Sequence, residues 1–425
     1  PVYIEIPMDV GNRYIDNIYT YHRSERLIYV APNEILEEVL SSLEKSERPI
    51  ILAGGGVISS RAAEDVDEFS TLLNIPILTT PSGRGTIPED KPLAFGQVGL
   101  YRTKVSKRIY EEADLIIMLG TQFEEFQSAS WAYTPKSAKI IQFDIDPLTI
   151  NRNVRANIPV LGDIKYNIRY LIDIAKKRNS LVPESRNKWV KSMIDYKKDF
   201  ENSMNAELNK MSVLRTPFIV NKVYKIFGKG TILANENGSQ DVWSYYFPYY
   251  KVLDYYSTLG MPEQTGLSLG VTGAIGAKLT SPDKKVVCIT GDGAFQFGMH
   301  EIATSMQYKA PVTWIILNNN GLGWEKYYQK YWLKSRKITN TEFTSQPDFV
   351  KIAEANGIYG AKVYSPDKVE VELQRALEVN VRDKISAILD FEVPTYDFPE
   401  GFHEFHSIVW GPPKYPIDQQ YEPDD

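Results

Sequence analysis

Short runs of consecutive apolar residues, each followed by a helical pattern, constrain the fold of this chain more than any other sequence feature. Such runs occupy 49–53, 75–79, 114–119 and 139–144, and again 231–234, 285–289 and 312–317. Strands that are apolar along their whole length are typical of parallel sheets covered by helices on both faces. We therefore predict an α/β protein with two doubly wound parallel-sheet domains joined by a helical linker.

Changes in composition divide the 425-residue chain into predicted segments. These are a lead segment 1–30, a central α/β domain 31–174, a charged helical linker 175–212, a second α/β domain 213–390 and a C-terminal tail 391–425. The opening run 1–7 is predicted to be a buried strand. The tail is rich in proline and aromatic residues, which predicts irregular structure. We weigh a lid over a binding site against an extended strap on the surface.

Charge and cysteine content argue against several classes of function. A formal net charge of −6 disfavours nucleic-acid binding, which needs basic surface patches. The sequence has no apolar run of about eighteen residues, so it predicts no membrane span. The single cysteine, Cys288, excludes an internal disulfide and suits a cytoplasmic protein.

Polar and small residues follow two neighbouring runs in the second domain. Asp292 lies between Gly291 and Gly293 directly after one predicted strand, and Asn319 follows the next. Open parallel sheets bind ligands beyond the carboxyl ends of their strands, and such oxygens suit a Mg²⁺ that bridges a diphosphate. The glycines allow backbone N–H groups, including that of Ala294, to approach a phosphate. A glycine-rich turn without any ligand is the alternative.

The segment 291–329 resembles the diphosphate-binding domain of thiamin-diphosphate enzymes of the acetolactate synthase superfamily. Its Gly-Asp-Gly turn places Asp292 27 positions before Asn319, as the family motif does. The resemblance implies thiamin diphosphate and Mg²⁺ as cofactors. It also implies that Asp292 and Asn319 are side-chain ligands of the metal and that Gly321 is a ligand through its backbone carbonyl.

Two segments upstream resemble further cofactor-binding parts of the same family. Gly238, Ser239 and Gln240 match the family's diphosphate loop, which makes them candidate cofactor contacts. Leu267 matches the bulky apolar residue that holds the cofactor in its bent form, and Thr265 matches a position whose backbone carbonyl meets the aminopyrimidine. Close backbone packing is an additional role for the glycines around these two residues.

The central domain carries weaker signals of the same family. Residues 83–85, 143–147 and 160–163 resemble segments of a domain that holds FAD, an ADP moiety or no ligand in different relatives. An ADP or CoA moiety is therefore left open for this chain. FAD is disfavoured, because Gln122 and Phe126 occupy the positions of two arginines in acetolactate synthases.

The resemblance also implies a partner. In this family a glutamate of an N-terminal pyrimidine-binding domain activates the cofactor, and active sites form between subunits. Residues 1–30 are interpreted as the tail of that domain and the linker that follows it. We therefore expect a separate pyrimidine-domain chain or a longer parent chain, assembled as a dimeric or tetrameric homo- or hetero-oligomer.

Two reactions fit these motifs. Phe126 lacks the charge to hold an acceptor carboxylate, and Arg102 resembles an arginine of the CoA-dependent relatives, although an ordinary surface cation is the alternative. We therefore favour a 2-hydroxyacyl-CoA lyase-like reaction on an acyl-CoA. The alternative is acetolactate synthase-like condensation or decarboxylation of 2-oxo acids, because the segment from Trp324 follows the synthase pattern. Leu267, Thr265 and Trp324 are the candidate catalytic residues.

Other classes of function are less well supported. A non-catalytic regulatory subunit would have no need of the metal-binding residues Asp292 and Asn319. An NAD-binding protein is disfavoured, because no Gly-x-Gly-x-x-Gly follows any predicted strand. His403 and His406 in the tail are expected to be exposed and inactive.

Overall fold

Two parallel β-sheets of six strands each form the framework of the protein. The computed structural model describes residues 2–22, 27–178, 182–239, 241–260, 266–333 and 338–413. Separate buried clusters pack against the two faces of each sheet. The predicted fold class, with two doubly wound α/β domains, is thereby confirmed. Within the described ranges, no helix combines the length and apolarity needed to cross a bilayer.

The first sheet lies in the central domain. Its strands are β1 (Pro49–Ala53), β2 (Ile77–Thr79), β3 (Ala94–Gln97), β4 (Leu115–Leu119), β5 (Lys139–Asp144) and β6 (Ile158–Leu161). Their order across the sheet is β3-β2-β1-β4-β5-β6, and neighbouring strands are parallel. Along β1, Ile50 and Leu52 join one buried cluster while Ile51 and Ala53 join the opposite one, which explains the continuous apolar run.

The second sheet lies in the C-terminal domain and positions the candidate site. Its strands are β7 (Thr231–Asn235), β8 (Thr258–Leu259), β9 (Lys285–Gly291), β10 (Thr313–Asn318), β11 (Tyr359–Val363) and β12 (Ala387–Glu392). Their order is β11-β12-β10-β9-β7-β8, again parallel throughout. The carboxyl ends of β7, β9 and β10 therefore meet at one edge.

Helices surround the two sheets and connect them. They are α1 (Met8–Gly11), α2 (Asn33–Lys45), α3 (Gly55–Ser59), α4 (Ala63–Leu73), α5 (Lys104–Glu111), α6 (Glu125–Ser128), α7 (Ile164–Ala175), α8 (Glu184–Leu208), α9 (Thr216–Phe227), α10 (Leu269–Thr280), α11 (Asp292–Gly298), α12 (Ile302–Gln307), α13 (Gly323–Trp332), α14 (Phe349–Ala355), α15 (Pro366–Glu378) and α16 (Glu400–Trp410). In α2 the buried residues Leu36, Val39, Leu40 and Leu43 recur at the helical period and face the core.

The charged helix α8 is fixed to the central domain by buried polar contacts. The Lys197 ammonium donates to the carbonyl oxygens of Lys91, Pro92 and Ala94 at 3.2, 2.7 and 3.0 Å. Burial lowers the pKa of Lys197 to about 8. Three carbonyl acceptors offset part of the cost of burying this cation.

A buried ion pair joins the two domains. Arg84 and Glu89 belong to the central domain and form two side-chain hydrogen bonds of 2.9 and 2.8 Å. The Arg84 guanidinium also donates to the carbonyl of Ser244 at 2.6 Å and to that of Tyr250 at 3.1 Å. Glu89 in turn accepts from the backbone N–H of Val252 at 2.7 Å. Both charges are therefore satisfied by partners across the domain boundary.

The prediction of a buried strand at the start of the chain is wrong. Residues 2–7 form no strand, and Val2, Ile4 and Ile6 are exposed. Their apolar side chains have no core to enter within this chain. Val2, Ile4 and Ile6 occur at every second position, which is the sequence pattern of a strand with one covered face.

The tail contains regular structure that its composition did not suggest. Pro399 directly precedes α16, where the fixed φ of proline is compatible with helix initiation. Phe402 and Phe405 lie one helical turn apart and are buried. The expectation that His403 and His406 are exposed is also wrong, since His406 is buried and His403 is half-buried.

Candidate cofactor site

The metal-binding residues predicted from the sequence converge at the carboxyl edge of the second sheet. Strands β9 and β10 are parallel neighbours, with Leu317 opposite Gly291. Asp292 begins α11 directly after β9, and Asn319 follows β10. Adjacent parallel strands end at the same edge, so both side chains lie in one place.

Three oxygen atoms face one another at this edge. The side-chain oxygen of Asn319 lies 2.9 Å from the carbonyl oxygen of Gly321 and 3.0 Å from Oδ1 of Asp292. In this orientation the amide oxygen faces only acceptors, and the reversed amide would donate to both. Adjacent ligands of an octahedral Mg²⁺ with bonds of about 2.0–2.1 Å lie about 2.9 Å apart. The two separations from Asn319, to Asp292 and to Gly321, therefore match those between neighbouring magnesium ligands when the Asn319 amide is turned with its oxygen towards them.

The environment of Asp292 leaves one carboxylate oxygen turned towards this cluster. Its Oδ2 accepts from the backbone N–H of Gly321 at 3.1 Å and from the side-chain amide of Gln346 at 2.5 Å. Burial raises the pKa of Asp292 to about 6, although these donors oppose the shift. A buried carboxylate with a raised pKa is stabilised by a cation at its free oxygen.

Side chains from three neighbouring segments hold this carboxylate in place. The amide oxygen of Gln346 accepts from Asn318 at 2.9 Å, and Asn318 donates also to Asp390 at 2.9 Å. Asp390 is buried in β12, and desolvation raises its pKa. Sequence reasoning missed Gln346, whose role depends on a contact 54 positions away along the chain.

A cavity of about 470 Å³ opens beside the three oxygens. The predicted site residues that the structure describes all line it: Gly238, Ser239, Leu267, Gly291, Asp292, Gly293, Ala294, Asn319, Gly321 and Trp324. Tyr101, Phe126, Asn237, Leu322, Gly323 and Glu325 complete the lining. Thr265 and Gln240, the other two predicted site residues, lie outside the described residues.

Glu236 connects the loop after β7 to helix α10. Its carboxylate accepts from the backbone N–H groups of Asn237, Ser268 and Val271, each at 3.0 Å. Desolvation raises the pKa of Glu236, while the backbone donors oppose this shift. An acceptor at a helix N-terminus satisfies N–H groups that the helix leaves unpaired. Sequence reasoning did not identify Glu236, although it identified Gly238 and Ser239 in the same loop.

Two close approaches at glycine residues shape the cavity. A Cβ at Gly270 would lie 2.5 Å from the carbonyl oxygen of Asn235, so the backbone of α10 contacts the end of β7 directly and only glycine fits there. A Cβ at Gly323 would lie 2.1 Å from Oγ of Ser239, so the start of α13 lies against the Ser239 side chain.

Helix α16 packs against the aromatic side of the cavity. The indole N–H of Trp324 donates to Nε2 of His406 at 3.1 Å, and the Phe126 ring stacks on Phe405 with 5.3 Å between centroids. Burial lowers the pKa of His403 and of His406 to about 4, so both rings are neutral at pH 7. Trp324 therefore presents apolar surface to the cavity, since its polar atom is used by α16.

Arg102 is not an ordinary surface cation, contrary to the alternative weighed above. Its side chain is 4% exposed, and it forms an ion pair with Glu404 of α16 at 3.0 Å. It also donates to the carbonyl of Gly99 at 2.6 Å and to the Tyr133 hydroxyl at 3.0 Å. These contacts commit its charge to holding α16 on the central domain.

Comparison with known proteins agrees with this geometry. Residues 36–171 match the family model "thiamine pyrophosphate enzyme, central domain", and residues 236–390 match "thiamine pyrophosphate enzyme, C-terminal TPP binding domain". Thiamine pyrophosphate is another name for thiamin diphosphate. The boundaries of both matches lie within the two α/β domains described above.

Curated relatives align along most of the chain. Probable acetolactate synthase large subunits of Methanococcus aeolicus and Methanocaldococcus jannaschii are each 32% identical, over 89% and 92% of this chain and 65% and 66% of their own lengths. The acetolactate synthase large subunit of Buchnera aphidicola subsp. Acyrthosiphon pisum is 29% identical over 89% of this chain and 66% of its own length. The chain thus spans about 65% of the length of these two archaeal relatives. With both family domains present and the motif residues assembled in one cavity, the chain belongs to the thiamine pyrophosphate enzymes.

Proposed function

We propose that this chain supplies the metal- and diphosphate-binding half of an acetolactate synthase-like enzyme. The enzyme decarboxylates a 2-oxo acid and joins the remaining fragment to a carbonyl compound. The observation that carries this proposal is that the side chains of Asp292 and Asn319 and the carbonyl group of Gly321 meet beside a cavity of about 470 Å³. The names of the relatives support a reaction on 2-oxo acids rather than on an acyl-CoA.

Each described site residue has a role in this proposal. Bound thiamin diphosphate would supply the electron sink that allows a 2-oxo acid to lose CO₂. Asp292 and Asn319, together with the Gly321 carbonyl, would hold a Mg²⁺ ion that offsets the negative charge of the diphosphate. The backbone around Gly291–Ala294 and the loop at Gly238 and Ser239 would surround the phosphates. Leu267 lines the cavity and would provide apolar contact to the cofactor, and the role of Thr265 stays a prediction.

The proposal includes a partner that carries the activating glutamate. Apolar side chains that the described part of the chain leaves exposed support it: Val2 is 87% exposed in the lead segment, and Phe297 of α11, the helix that begins at Asp292, is 62% exposed. We propose that a pyrimidine-binding domain covers these surfaces, in an oligomer whose active site lies between subunits. The cytoplasmic location and a central-domain ADP or CoA moiety stay predictions from the sequence.

The hypothesis of a 2-hydroxyacyl-CoA lyase-like reaction is not supported by the structure or by the relatives. It was favoured because Arg102 resembles an arginine of the CoA-dependent relatives and because Phe126 lacks a charge, but the Arg102 charge is paired with Glu404. The relatives compared above carry the acetolactate synthase name. A non-catalytic regulatory subunit is disfavoured as well, because it would not need the metal-binding arrangement of Asp292, Asn319 and Gly321.

Release of CO₂ from 2-oxo acids tests the proposal. The holoenzyme, isolated with its pyrimidine-domain partner, is expected to release CO₂ from pyruvate or 2-oxobutanoate only with Mg²⁺ and thiamin diphosphate. Asp292→Asn keeps the side-chain volume but removes the charge at the metal. We expect cofactor binding in Mg²⁺ to weaken by more than about 100-fold, which is the upper end of the loss seen for outer-shell partners.

A matched control separates this effect from a general loss of charge. Asp283 is an exposed carboxylate just before β9, at the opposite end of the strand from Asp292. Asp283→Asn should leave cofactor binding unchanged. Cofactor-independent CO₂ release, or an Asp292→Asn variant that binds as tightly as the parent, would contradict the proposed function.

A further inference from the structure

The cavity has an aromatic wall formed by Tyr101, Phe126 and Trp324. The Phe126 side chain is 39% exposed and stacks on Phe405 of α16, with the ring planes inclined by 23°. Tyr101 stacks on Tyr245 with 4.5 Å between centroids. Each ring of this wall is thus backed by another aromatic ring and offers a broad apolar surface to a ligand.

The position of Phe126 in this wall is fixed by its backbone. The Glu124 carboxylate accepts from the backbone N–H groups of Phe126 and Gln127 at 2.8 and 2.9 Å. A Cβ at Gly99, whose φ is +69°, would lie 1.9 Å from the carbonyl oxygen of Phe126. The two segments therefore touch through backbone, and the ring is pre-organised rather than mobile.

The charged side chains that line the cavity are acidic. They are Asp292, whose charge faces the metal position, and Glu325. No lysine or arginine occurs among the lining residues within the described part of the chain. The nearby Arg102 points its charge to Glu404 instead.

This distribution affects the two substrates of the proposed reaction differently. The donor 2-oxo acid loses its carboxylate as CO₂, and apolar surroundings favour that loss over retention of the charge. An acceptor carboxylate, in contrast, persists in the product. Burying it against Phe126 is strongly unfavourable, because the described part of this chain provides no cation to this wall of the cavity and Glu325 also lines it.

We infer that the acceptor is an uncharged aldehyde or ketone with an apolar substituent, and that Phe126 is the residue that selects it. This inference depends on the proposed function. The C1–C2 bond of the 2-oxo acid breaks, CO₂ leaves, and the electron pair at C2 forms the new bond to the acceptor carbonyl carbon. One proton is taken up at the acceptor oxygen. The product is an uncharged 2-hydroxy ketone rather than a 2-hydroxy acid.

A competition experiment on the holoenzyme with its pyrimidine-domain partner tests this inference. Pyruvate serves as donor, with benzaldehyde and 2-oxobutanoate present at equal concentrations as acceptors. The parent enzyme is expected to form uncharged hydroxy ketone at least tenfold faster than all carboxylated products together. Phe126→Arg should shift this ratio at least tenfold towards carboxylated products, because its guanidinium pairs with the acceptor carboxylate.

Phe126→Gln is the matched control, since it is polar and of similar length but uncharged. It should not increase the carboxylated fraction. Carboxylated product equal to or above hydroxy ketone in the parent enzyme would overturn the inference, as would an unshifted ratio in Phe126→Arg with CO₂ release intact. If Phe126→Arg does not fold, the product ratios of Phe126→Lys and of the parent enzyme test the inference instead. If the proposed function itself is wrong, the parent enzyme will not release CO₂ in a cofactor-dependent way. This outcome differs from a changed product ratio.

Discussion

Gln346 controls which oxygen of Asp292 faces the metal position. Its amide N–H donates to Oδ2 of Asp292 at 2.5 Å, and its own oxygen accepts from Asn318 at 2.9 Å. Gln346→Leu keeps a similar volume and removes both bonds. We expect the Mg²⁺-dependent affinity for thiamin diphosphate to fall about 10- to 100-fold. Titration calorimetry at fixed Mg²⁺ measures this loss, with the complex of this chain and its pyrimidine-domain partner first freed of cofactor.

A second glutamine provides the comparison for this variant. The side-chain amide of Gln329 bonds the backbone of Thr339, and Gln329 is not among the residues that line the cavity. Gln329→Leu should bind the cofactor as the parent does. Equal affinities for Gln346→Leu and Gln329→Leu would show that Gln346 does not position Asp292.

Site residues that could be predicted from the sequence differ from those that could not in the sequence separation of their contacts. Asp292 and Asn319 each follow a strongly apolar strand, so local pattern was enough to place them at one edge. Gln346 acts across 54 positions and Glu236 reaches 35 positions to Val271. No local pattern encodes such a contact, because it exists only once the strands and helices have been assembled.

Helix α16 is the element whose packing should depend on pH. Nδ1 of His406 lies 2.7 Å from the carbonyl oxygen of Phe402, and Nε2 accepts from Trp324, so the contacts suit the neutral ring. Burial lowers the pKa of His403 and His406 to about 4, below about 6.5 for an unfolded histidine. The unfolded chain therefore binds more protons than the folded one between these values. Stability is lost as the pH falls from about 6.5 to 4.

The loss of stability at low pH has an expected size, and a single substitution tests it. His403 and His406 each contribute up to about 1.4 kcal/mol per pH unit to the slope of the unfolding free energy within that window. His406→Gln keeps an acceptor for Trp324 without the titration, so it should flatten the dependence of the unfolding midpoint on pH. His300 is exposed, and His300→Gln should leave the dependence unchanged. A parent midpoint that stays constant from pH 6.5 to 4.5 would refute this account.

The elements that sequence reasoning missed have weaker or broken apolar patterns. Strand β12 contains Asp390, which interrupts the run and is tolerated because Asn318 donates to it. Strand β11 lies at the edge of its sheet and is only partly buried, so it lacks the continuous apolar signal. Helix α16 lies among prolines, but Phe402 and Phe405 gain burial from tertiary contacts that composition does not report.

At the scale of the whole molecule, the two domains combine to form the cavity. Tyr101 and Phe126 come from the central domain, while the metal-facing residues come from the C-terminal domain. Relative movement of the domains would separate the aromatic wall from the proposed cofactor. The interdomain contacts of Arg84 and Glu89 are therefore relevant to the site even though neither residue lines it.

Removing Arg84 should weaken the whole assembly rather than one domain. Arg84→Met leaves Glu89 buried without its cation and removes the bonds to Ser244 and Tyr250. Breaking a buried pair in this way costs about 3–5 kcal/mol of unfolding free energy. Urea denaturation, followed by fluorescence and by circular dichroism, measures the loss. The surface pair of Lys176 and Glu68 offers the control, since both side chains are largely exposed and Lys176→Met should leave the midpoint unchanged.

The double variant Arg84→Met with Glu89→Leu separates two causes of lost stability. One is the unpaired charge of Glu89, and the other is the loss of the hydrogen bonds between the domains. If the buried Glu89 charge dominates, the double variant should recover part of the stability that Arg84→Met loses. If interdomain bonds dominate, both variants should unfold in two steps, because the domains no longer support each other. An Arg84→Met protein with the parent's midpoint and a single transition would show that the ion pair does not join the domains energetically.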